Sequence, residues 1–200
     1  MQSKILLKRI LIIALAVFAL SAMFLLQFIP KSQAKTSSVE NIPTLAKQEE
    51  AGFGIPVRIK IPKINIDAAV ESAGLTSGGA MDIRKVPEAI AWFNLGTRPG
   101  NTGSAVIAGH YGYWKNGEVA LFYNLDKLRK GDELYIEDDK GATIAFVVNG
   151  IKLYDPNEDA SAVFVSNDGK AHLNLVTCAG AWDKVSRSYP KRLVVFTDKE

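Results

Sequence analysis

An uncharged, apolar segment near the N-terminus limits what the rest of the chain can become. It runs for twenty residues, from 10 to 29. As an α-helix it would be about 30 Å long, which matches the hydrocarbon core of a bilayer. Three cations precede it, and cations on that side of a span are retained in the cytoplasm. We therefore predict a cytoplasmic stub over residues 1–9, a transmembrane signal anchor over 10–30 and an extracytoplasmic body.

A cleaved signal peptide is the alternative interpretation of this segment. Small residues follow it at a plausible cleavage position, Ser32-Gln33-Ala34. The apolar run is longer than the core of a signal peptide, which is usually about 7–15 residues, and both interpretations export the domain. Residues 31–54 are rich in Lys, Ser, Gln and Glu, so we predict a linker there and a folded domain over 55–200.

Short apolar runs separated by Gly, Pro, Asn and Asp fill this predicted domain. The strands we predict lie at 57–61, 64–66, 104–108, 133–137, 142–148, 171–177 and 193–196. Helical candidates are few and short, at 87–93 and 119–128. Many short strands favour a mainly β fold with a closed barrel of about eight strands, because closure removes exposed strand edges.

The charge balance argues against nucleic-acid binding. The chain has 24 Lys and Arg and 21 Asp and Glu. Three of the basic residues precede the apolar segment, so the remainder is neutral, and no basic cluster interleaved with aromatic residues occurs in it. A protein that tracks phosphates would need such a surface.

The chain has one cysteine, Cys178. Exported proteins commonly pair their cysteines in disulfides, but a lone cysteine forms neither an intramolecular disulfide nor a multi-cysteine metal site. The open alternatives are an inert buried thiol, an intermolecular bridge and a reactive nucleophile. A nucleophile needs a base or a nearby cation, because an ordinary thiol, with a pKa of about 8.5, is only slightly ionised at neutral pH.

Geometry separates the two histidines as partners for Cys178. His172 lies six residues before the cysteine in one predicted strand, which would put the two side chains roughly 20 Å apart. We interpret it as a surface or strand-end residue. His110 ends a short apolar strand and is followed by a flexible glycine, a position where catalytic groups gather, although a structural histidine fits equally.

Two arginines are candidates for the cation. Arg192 begins the strand that follows the Cys178 strand. If those strands pair antiparallel, Arg192 lies beside Cys178 at about 5 Å. Arg187, in the intervening loop, is the alternative. A solvated surface role remains open for both.

Four segments resemble the sortase family. Leu175-Val176-Thr177-Cys178 resembles the strand that presents the nucleophile, and residues 105–110 resemble the catalytic-histidine strand. Residues 121–132 are similar to the Phe-x-x-Leu-x-x-Leu segment that leads into Gly-Asp, and 191–195 to the closing strand that supplies the arginine. The resemblance spans about residues 55–196, with His, Cys and Arg in the family's order.

The resemblance implies a sortase-like β-barrel and a cysteine transpeptidase. Cys178 would be the nucleophile, His110 the general acid, and Arg192 the group that stabilises the oxyanion or orients the substrate, with Thr177 against the substrate. The enzyme would cleave an Leu-Pro-x-Thr-Gly-like signal of an exported protein through a thioester. It would then transfer that protein to an amine of a cell-wall precursor or a pilin. No cofactor, metal or carboxylate orienting the histidine is expected.

The resemblance leaves the subclass open between class A-like and class E- or F-like members, and it leaves the sorting motif and the acceptor open. Glu137, Asp138 and Asp139 do not match the calcium site of some members, and we expect them to be solvated charges of a hairpin turn. Two other functions compete. One is an L,D-transpeptidase-like wall enzyme, whose usual Ser-x-Gly-Cys-Arg context is absent around Cys178. The other is a membrane-anchored, non-catalytic β-barrel binding module.

Overall fold

The computed structural model describes residues 52–200, and this part of the chain is mainly β. Its nine strands are β1 Pro56–Ile61, β2 Ile66–Ala69, β3 Glu71–Ala73, β4 Ile90–Phe93, β5 Gly103–Gly109, β6 Glu133–Asp138, β7 Thr143–Tyr154, β8 Ala171–Ala179 and β9 Lys191–Lys199. The helical elements are 3₁₀ segments at Pro62–Ile64 and Leu121–Lys127 and one α-helical turn, α1, at Ser161–Phe164.

The strands form one sheet that nearly closes on itself. Their order is β2-β1-β6-β7-β9-β8-β5-β4-β3. The two outermost strands, β2 and β3, are joined through Val70 alone, whose N–H donates to the Val57 carbonyl at 2.9 Å. Because one residue links the two edges, the sheet must curl into a barrel-like form. The sequence predicted a closed barrel of about eight strands, and the described domain has nine in a nearly closed one.

The barrel core is filled by alternate residues of the strands and by the segment between β5 and β6. In β6, Leu134 and Ile136 are fully buried while their neighbours face outwards. Phe122, Leu125 and Leu128 are also fully buried, so the Leu121–Lys127 3₁₀ segment packs its apolar side into the barrel. The short helical candidate at 119–128 is therefore confirmed as a 3₁₀ segment.

The other helical candidate, at 87–93, is wrong. Residues Ile90–Phe93 form strand β4, which pairs in parallel with β3 and antiparallel with β5. Ile90, Ala91 and Trp92 are all buried. A strand covered on both faces reads as a continuous apolar run, and such a run cannot be distinguished from a buried helix by periodicity alone.

The expectation of solvated charges in the turn after β6 is wrong for Asp138. Its side chain is 4% exposed, and it accepts hydrogen bonds from the backbone N–H groups of Gly54 at 2.7 Å, Ala142 at 2.8 Å and Lys140 at 3.0 Å. Burial alone would raise the pKa of Asp138, but these three bonds outweigh it and hold the pKa below its usual 3.8. The carboxylate thus fastens the start of the described chain to the β6–β7 turn.

Within residues 52–200, no helix is long and apolar enough to cross a membrane. The predicted stub, the anchor at 10–30 and all but the last residues of the linker lie outside the described residues. Of that linker, Phe53 packs partly against the barrel core.

His172 lies at the opposite end of β8 from Cys178, as expected for a strand-end residue. Its Nδ1 lies 2.7 Å from the Asp198 carboxylate and its Nε2 lies 3.0 Å from that of Asp168. Burial disfavours the imidazolium, but the bonds to Asp168 and Asp198 outweigh it and raise the pKa of His172 above its usual 6.5. This cluster fixes the loop before β8 to the end of β9.

We expect Asp138→Ala to lower the free energy of unfolding by about 1–3 kcal/mol, because three N–H groups lose a charged acceptor. Since the pKa of Asp138 is lowered in the folded state, its contribution is present above the unfolded pKa and is lost as the pH falls through the folded pKa. Urea unfolding at neutral pH and at pH 3 measures both effects. The exposed neighbour Asp139 gives the control, and an equal loss in Asp139→Ala would contradict the assignment.

We also expect His172→Gln to destabilise the domain most at low pH. A histidine with a raised folded pKa contributes its full stability below the unfolded pKa of about 6.5. That contribution disappears as the pH rises through the folded pKa. The difference in Tm between wild type and variant, measured from pH 5 to pH 9, should therefore shrink with rising pH. A difference that stays constant or grows would show that the Asp168 and Asp198 contacts do not hold the cation.

Candidate active site

Strands β5 and β8 bring two of the predicted catalytic residues to the same edge of the sheet. The strands pair in parallel, with Ala108 opposite Val176. Two residues further along each strand, the chain reaches His110 and Cys178. Because neighbouring strands lie about 4.8 Å apart, this register puts the imidazole and the thiol at adjacent strand ends.

Strand β9 adds the arginine from the other side of β8. The two strands are antiparallel, and Cys178 lies directly opposite Arg192. Paired residues of this kind present their side chains on the same face of the sheet. The antiparallel pairing on which the sequence analysis depended is therefore present, and Cys178 stands between His110 and Arg192.

Arg192 is partly anchored and partly free. Its Nη1 donates to the carbonyls of Tyr189 at 3.0 Å and Lys191 at 2.9 Å, which fixes the guanidinium at the end of the β8–β9 loop. Arginine has five N–H donors. Within residues 52–200 its Nε and Nη2 groups have no acceptor, so these N–H groups are available to an oxygen atom of a bound substrate.

The three side chains line one cleft of about 750 Å³. Besides the sheet, two connecting segments line it, at residues 75–85 between β3 and β4 and at 154–164 between β7 and β8. The floor is apolar because Tyr154, Val163 and Val194 belong to a second buried cluster, on the face of the sheet opposite the barrel core. A cleft of this shape and polarity fits an extended peptide with apolar side chains better than a charged ligand.

Asn174 holds one wall of the cleft in place. Its side chain is 1% exposed and lies on the same face of β8 as Cys178, four residues away. The Asn174 Nδ2 donates to the Val163 carbonyl in α1 at 2.6 Å. This bond ties the segment between β7 and β8 to the strand that carries Cys178, a link that the sequence analysis missed.

The environment of Cys178 has two opposing effects on its thiol. Burial raises the pKa of Cys178 above its ordinary value, and the positive charge of Arg192 partly offsets this increase. The thiol is therefore mainly neutral at pH 7. Attack on a carbonyl would require the thiolate, which the neighbouring cation favours.

His110 is held by groups other than the thiol. Its Nε2 lies 2.6 Å from the backbone carbonyl oxygen of Arg84. Its ring also makes an edge-on contact with Trp114, with 5.4 Å between centroids. Within residues 52–200, no hydrogen bond joins His110 to Cys178. Such bonds are often long before substrate binds.

Two glycines beside His110 are required by close packing. A Cβ on Gly109 would lie 2.8 Å from the Phe122 ring, so the Leu121–Lys127 segment could not pack against the end of β5. Gly112 has φ +90°, and a Cβ there would overlap the Tyr189 hydroxyl. Close packing against the β8–β9 loop therefore requires glycine at position 112.

The remaining predicted residues occupy different positions. The Thr177 side chain is 2% exposed, and its hydroxyl donates to the Gly109 carbonyl at 2.9 Å. Thr177 thus links β8 to the end of β5, and its contact with substrate stays a prediction. Arg187 is exposed in the β8–β9 loop with φ 51° and does not line the cleft.

An aromatic cluster connects the two loops next to Cys178. The Tyr111 ring contacts Tyr123 and Tyr189 with centroids 5.2 Å apart, and Trp182 contacts Tyr189 at 5.0 Å. Burial raises the pKa of Tyr189, with the charges of Cys178 and Tyr111 adding to the effect. These contacts brace the loop that ends at Arg192.

The sequence analysis also missed the segment at 75–85. Its one visible signal was the Ser77-Gly78-Gly79 turn between two apolar residues, Leu75 and Met81, which pair as an isolated antiparallel bridge. That signal predicts a turn. It could not show that the turn lines the cleft, because this depends on the position of β3 at the edge of the sheet.

Comparison with solved structures gives several similar proteins. Sortase C-1 from Actinomyces oris is 27% identical with a TM-score of 0.56, covering 72% of this chain and 74% of that one. Sortase C1 from Streptococcus agalactiae, in complex with MTSET, is 27% identical with a TM-score of 0.55, covering 72% of this chain and 66% of that one. A Clostridium perfringens Sortase D5 transpeptidase is 23% identical with a TM-score of 0.53, covering 72% and 78%. The last shows similarity of fold alone.

No curated protein sequence matches the chain at a significant level. The family model of the Sortase domain matches residues 59–200, which is most of the chain and all of the cleft. It selects the sortase interpretation over the L,D-transpeptidase-like enzyme and the non-catalytic binding module. Because both class C and class D structures are similar, the subclass is not fixed. The chain belongs to the sortase family and is a sortase transpeptidase.

Proposed function

We propose that this sortase is held in the cell membrane by residues 10–30 and acts on the extracytoplasmic side. Its substrates are exported proteins with an Leu-Pro-x-Thr-Gly-like signal near the C-terminus. The observation that carries the proposal is that Cys178, His110 and Arg192 line one apolar cleft. The uncharged segment with cations before it supports the location, and tethering raises the local concentration of substrates that emerge there.

The cleft suits the apolar part of such a signal. Its lining includes Met81, Ile83 and Phe93 together with the valines of the floor. Apolar side chains of the signal gain by leaving water for these surfaces, and the backbone of the signal is then drawn across the cleft towards Cys178. The threonine carbonyl, which must react, lies where the sheet presents the thiol and the guanidinium together.

In the first half of the reaction, the Cys178 thiol gives its proton to solvent water, and the resulting thiolate bonds to the threonine carbonyl carbon. The carbonyl oxygen becomes an oxyanion, and the free N–H groups of Arg192 stabilise it. The carbon–nitrogen bond to glycine then breaks, and the cationic His110 gives its proton to the leaving amine. The products are a thioester on Cys178, neutral His110 and the released tail of the signal.

In the second half, an amine attacks the thioester carbon. Neutral His110 takes a proton from the attacking amine, the carbon–sulfur bond breaks, and Cys178 leaves as the thiolate. The new amide joins the exported protein to an amine of a cell-wall precursor or a pilin lysine. Where no amine is present, water can resolve the same thioester, and the enzyme then acts as a cysteine peptidase.

The full-length protein in detergent, incubated with an Leu-Pro-x-Thr-Gly peptide library and triglycine, should form an acyl adduct on Cys178. Mass spectrometry of the intact protein detects it. The adduct should vanish in Cys178→Ala, and transfer should fall by about 10²–10⁴-fold in His110→Ala, as expected for loss of a general acid.

The Cys178→Ala variant controls for non-specific acylation, and His172→Ala controls for the other histidine. Failure of every peptide to acylate a folded protein with an ordinary thiol would refute the proposed signal. An adduct that survives in Cys178→Ala would refute the assigned nucleophile.

We expect Arg192→Ala to shift the pH dependence of Cys178 alkylation by iodoacetamide to higher pH, because its cation partly offsets the effect of burial on the thiol pKa. Arg192→Lys should restore most of that shift but not the transfer rate, because lysine lacks the planar set of donors. Removing an oxyanion donor costs about 10²–10³ in kcat. Arg187→Ala is the matched control, and a larger loss in that variant would reverse the assignment.

A further inference from the structure

The contact between His110 and Arg84 determines which histidine nitrogen is free. The Arg84 carbonyl oxygen lies 2.6 Å from His110 Nε2. A carbonyl can only accept a hydrogen bond, so Nε2 must carry the hydrogen. The neutral imidazole is then fixed as the tautomer with a bare Nδ1. Nδ1 is therefore the nitrogen left to exchange a proton with a substrate.

The position of this carbonyl depends on a side-chain contact. Arg84 lies outside any strand or helix, and its own N–H donates no hydrogen bond within residues 52–200. Its guanidinium forms a two-point contact with Glu71 of β3: Nε to Oε2 at 2.8 Å and Nη2 to Oε1 at 2.5 Å. Paired contacts of this kind fix orientation as well as distance.

Glu71 is itself rigidly placed. It is the first residue of β3, opposite Ala91 in the parallel pair with β4, and β4 pairs with β5, the strand that ends just before His110. These contacts form a closed loop. It runs from His110 through β5, β4 and β3 to Glu71, and it returns to His110 through Arg84. Loss of the ion pair removes the side-chain contact that closes this loop.

We propose that the Glu71–Arg84 ion pair is a positioning pair for catalysis, which holds the Arg84 carbonyl against His110 Nε2 so that Nδ1 exchanges protons with the substrate. The inference rests on the proposed role of His110 as general acid. The main-chain carbonyl takes the place of the carboxylate that orients the histidine in other catalytic sites.

The proton balance follows from this geometry. In acylation, cationic His110 gives the Nδ1 hydrogen to the nitrogen of the breaking carbon–nitrogen bond and becomes the neutral Nε2–H tautomer. In the second half, the attacking amine returns a proton to Nδ1 as the carbon–sulfur bond breaks. The Nε2–H bond to Arg84 persists throughout.

Other ionisable groups face the same cleft from every neighbouring element: Asp82 and Lys85 from the segment before β4, Asp155 and Glu158 from the segment after β7, Cys178 from β8, and Lys191 and Arg192 from β9. None of them takes part in the Glu71–Arg84 contact. Substitution of Glu71 therefore leaves all of these groups in place.

The direct test is an NMR measurement of the imidazole rings in the full-length chain in detergent micelles. Two histidines give two sets of ring ¹⁵N signals, and the His172→Gln variant assigns them. In Glu71→Gln, the ¹⁵N signals of neutral His110 should change from the Nε2–H tautomer to a mixture of tautomers, because a displaced carbonyl no longer accepts the Nε2 hydrogen, while the signals of His172 stay unchanged. The control is Asp67→Asn, which breaks the exposed Arg58–Asp67 pair on β1 and β2.

Activity and rescue separate positioning from simple loss of charge. In Glu71→Gln, kcat should fall by about tenfold, less than the roughly 10²–10⁴-fold cost of removing a general acid, alongside the change in the His110 tautomer. The double variant Glu71→Arg with Arg84→Glu keeps the net charge and restores a pair. It should recover most of both effects, with an unchanged Tm in every variant.

The outcomes are distinct. If Glu71→Gln changes the His110 tautomer signals no more than Asp67→Asn does, or if the exchanged pair recovers neither the tautomer nor kcat, the positioning role is wrong. If the tautomer changes and recovers as expected but no peptide acylates Cys178, the positioning of His110 stands and the proposed substrate is wrong. The NMR signal thus tests the inference without depending on activity.

Discussion

Strand β8 is bonded on both of its sides, and the cleft depends on those two pairings. Parallel pairing with β5 sets His110 level with Cys178, and antiparallel pairing with β9 sets Arg192 opposite it. A slip of one residue in either ladder would turn a side chain to the other face of the sheet. Buried side chains resist such a slip: Leu173 and Leu175 are fully buried in the barrel core, so the core that stabilises the fold also fixes the register of the site.

The two faces of β8 have different surroundings. Residues that face the barrel are buried in its core, while Asn174, Val176 and Cys178 face the second apolar cluster and the cleft. This arrangement half-buries the thiol and raises its pKa, and the adjacent Arg192 cation counteracts part of that rise. Under the mechanism proposed above, low polarity around the cleft strengthens the electrostatic effect of Arg192 on a developing oxyanion.

Much of the fold was predictable because its strands carry local signals. Short apolar runs between turn-forming residues marked β1, β6 and β8. The error at 87–93 arose because β4 is covered on both faces and lost its alternation. The prediction for Asp138 was wrong because its carboxylate accepts a hydrogen bond from the N–H of Gly54, 84 residues away, as well as from its own turn. The contact with Gly54 is not visible in a local sequence pattern.

The sequence by itself determined the chemistry available: one thiol, two histidines of which one is too far along its strand, and an arginine at the start of the following strand. It also indicated export and the sortase family. Only the tertiary structure decided that β5 pairs in parallel with β8, that Arg192 rather than Arg187 lines the cleft, and that Arg84 reaches His110. The reason is physical. Residue types and short periods are local properties, whereas parallel pairing and loop contacts join segments 26 or more residues apart, and their choice depends on how the whole barrel closes.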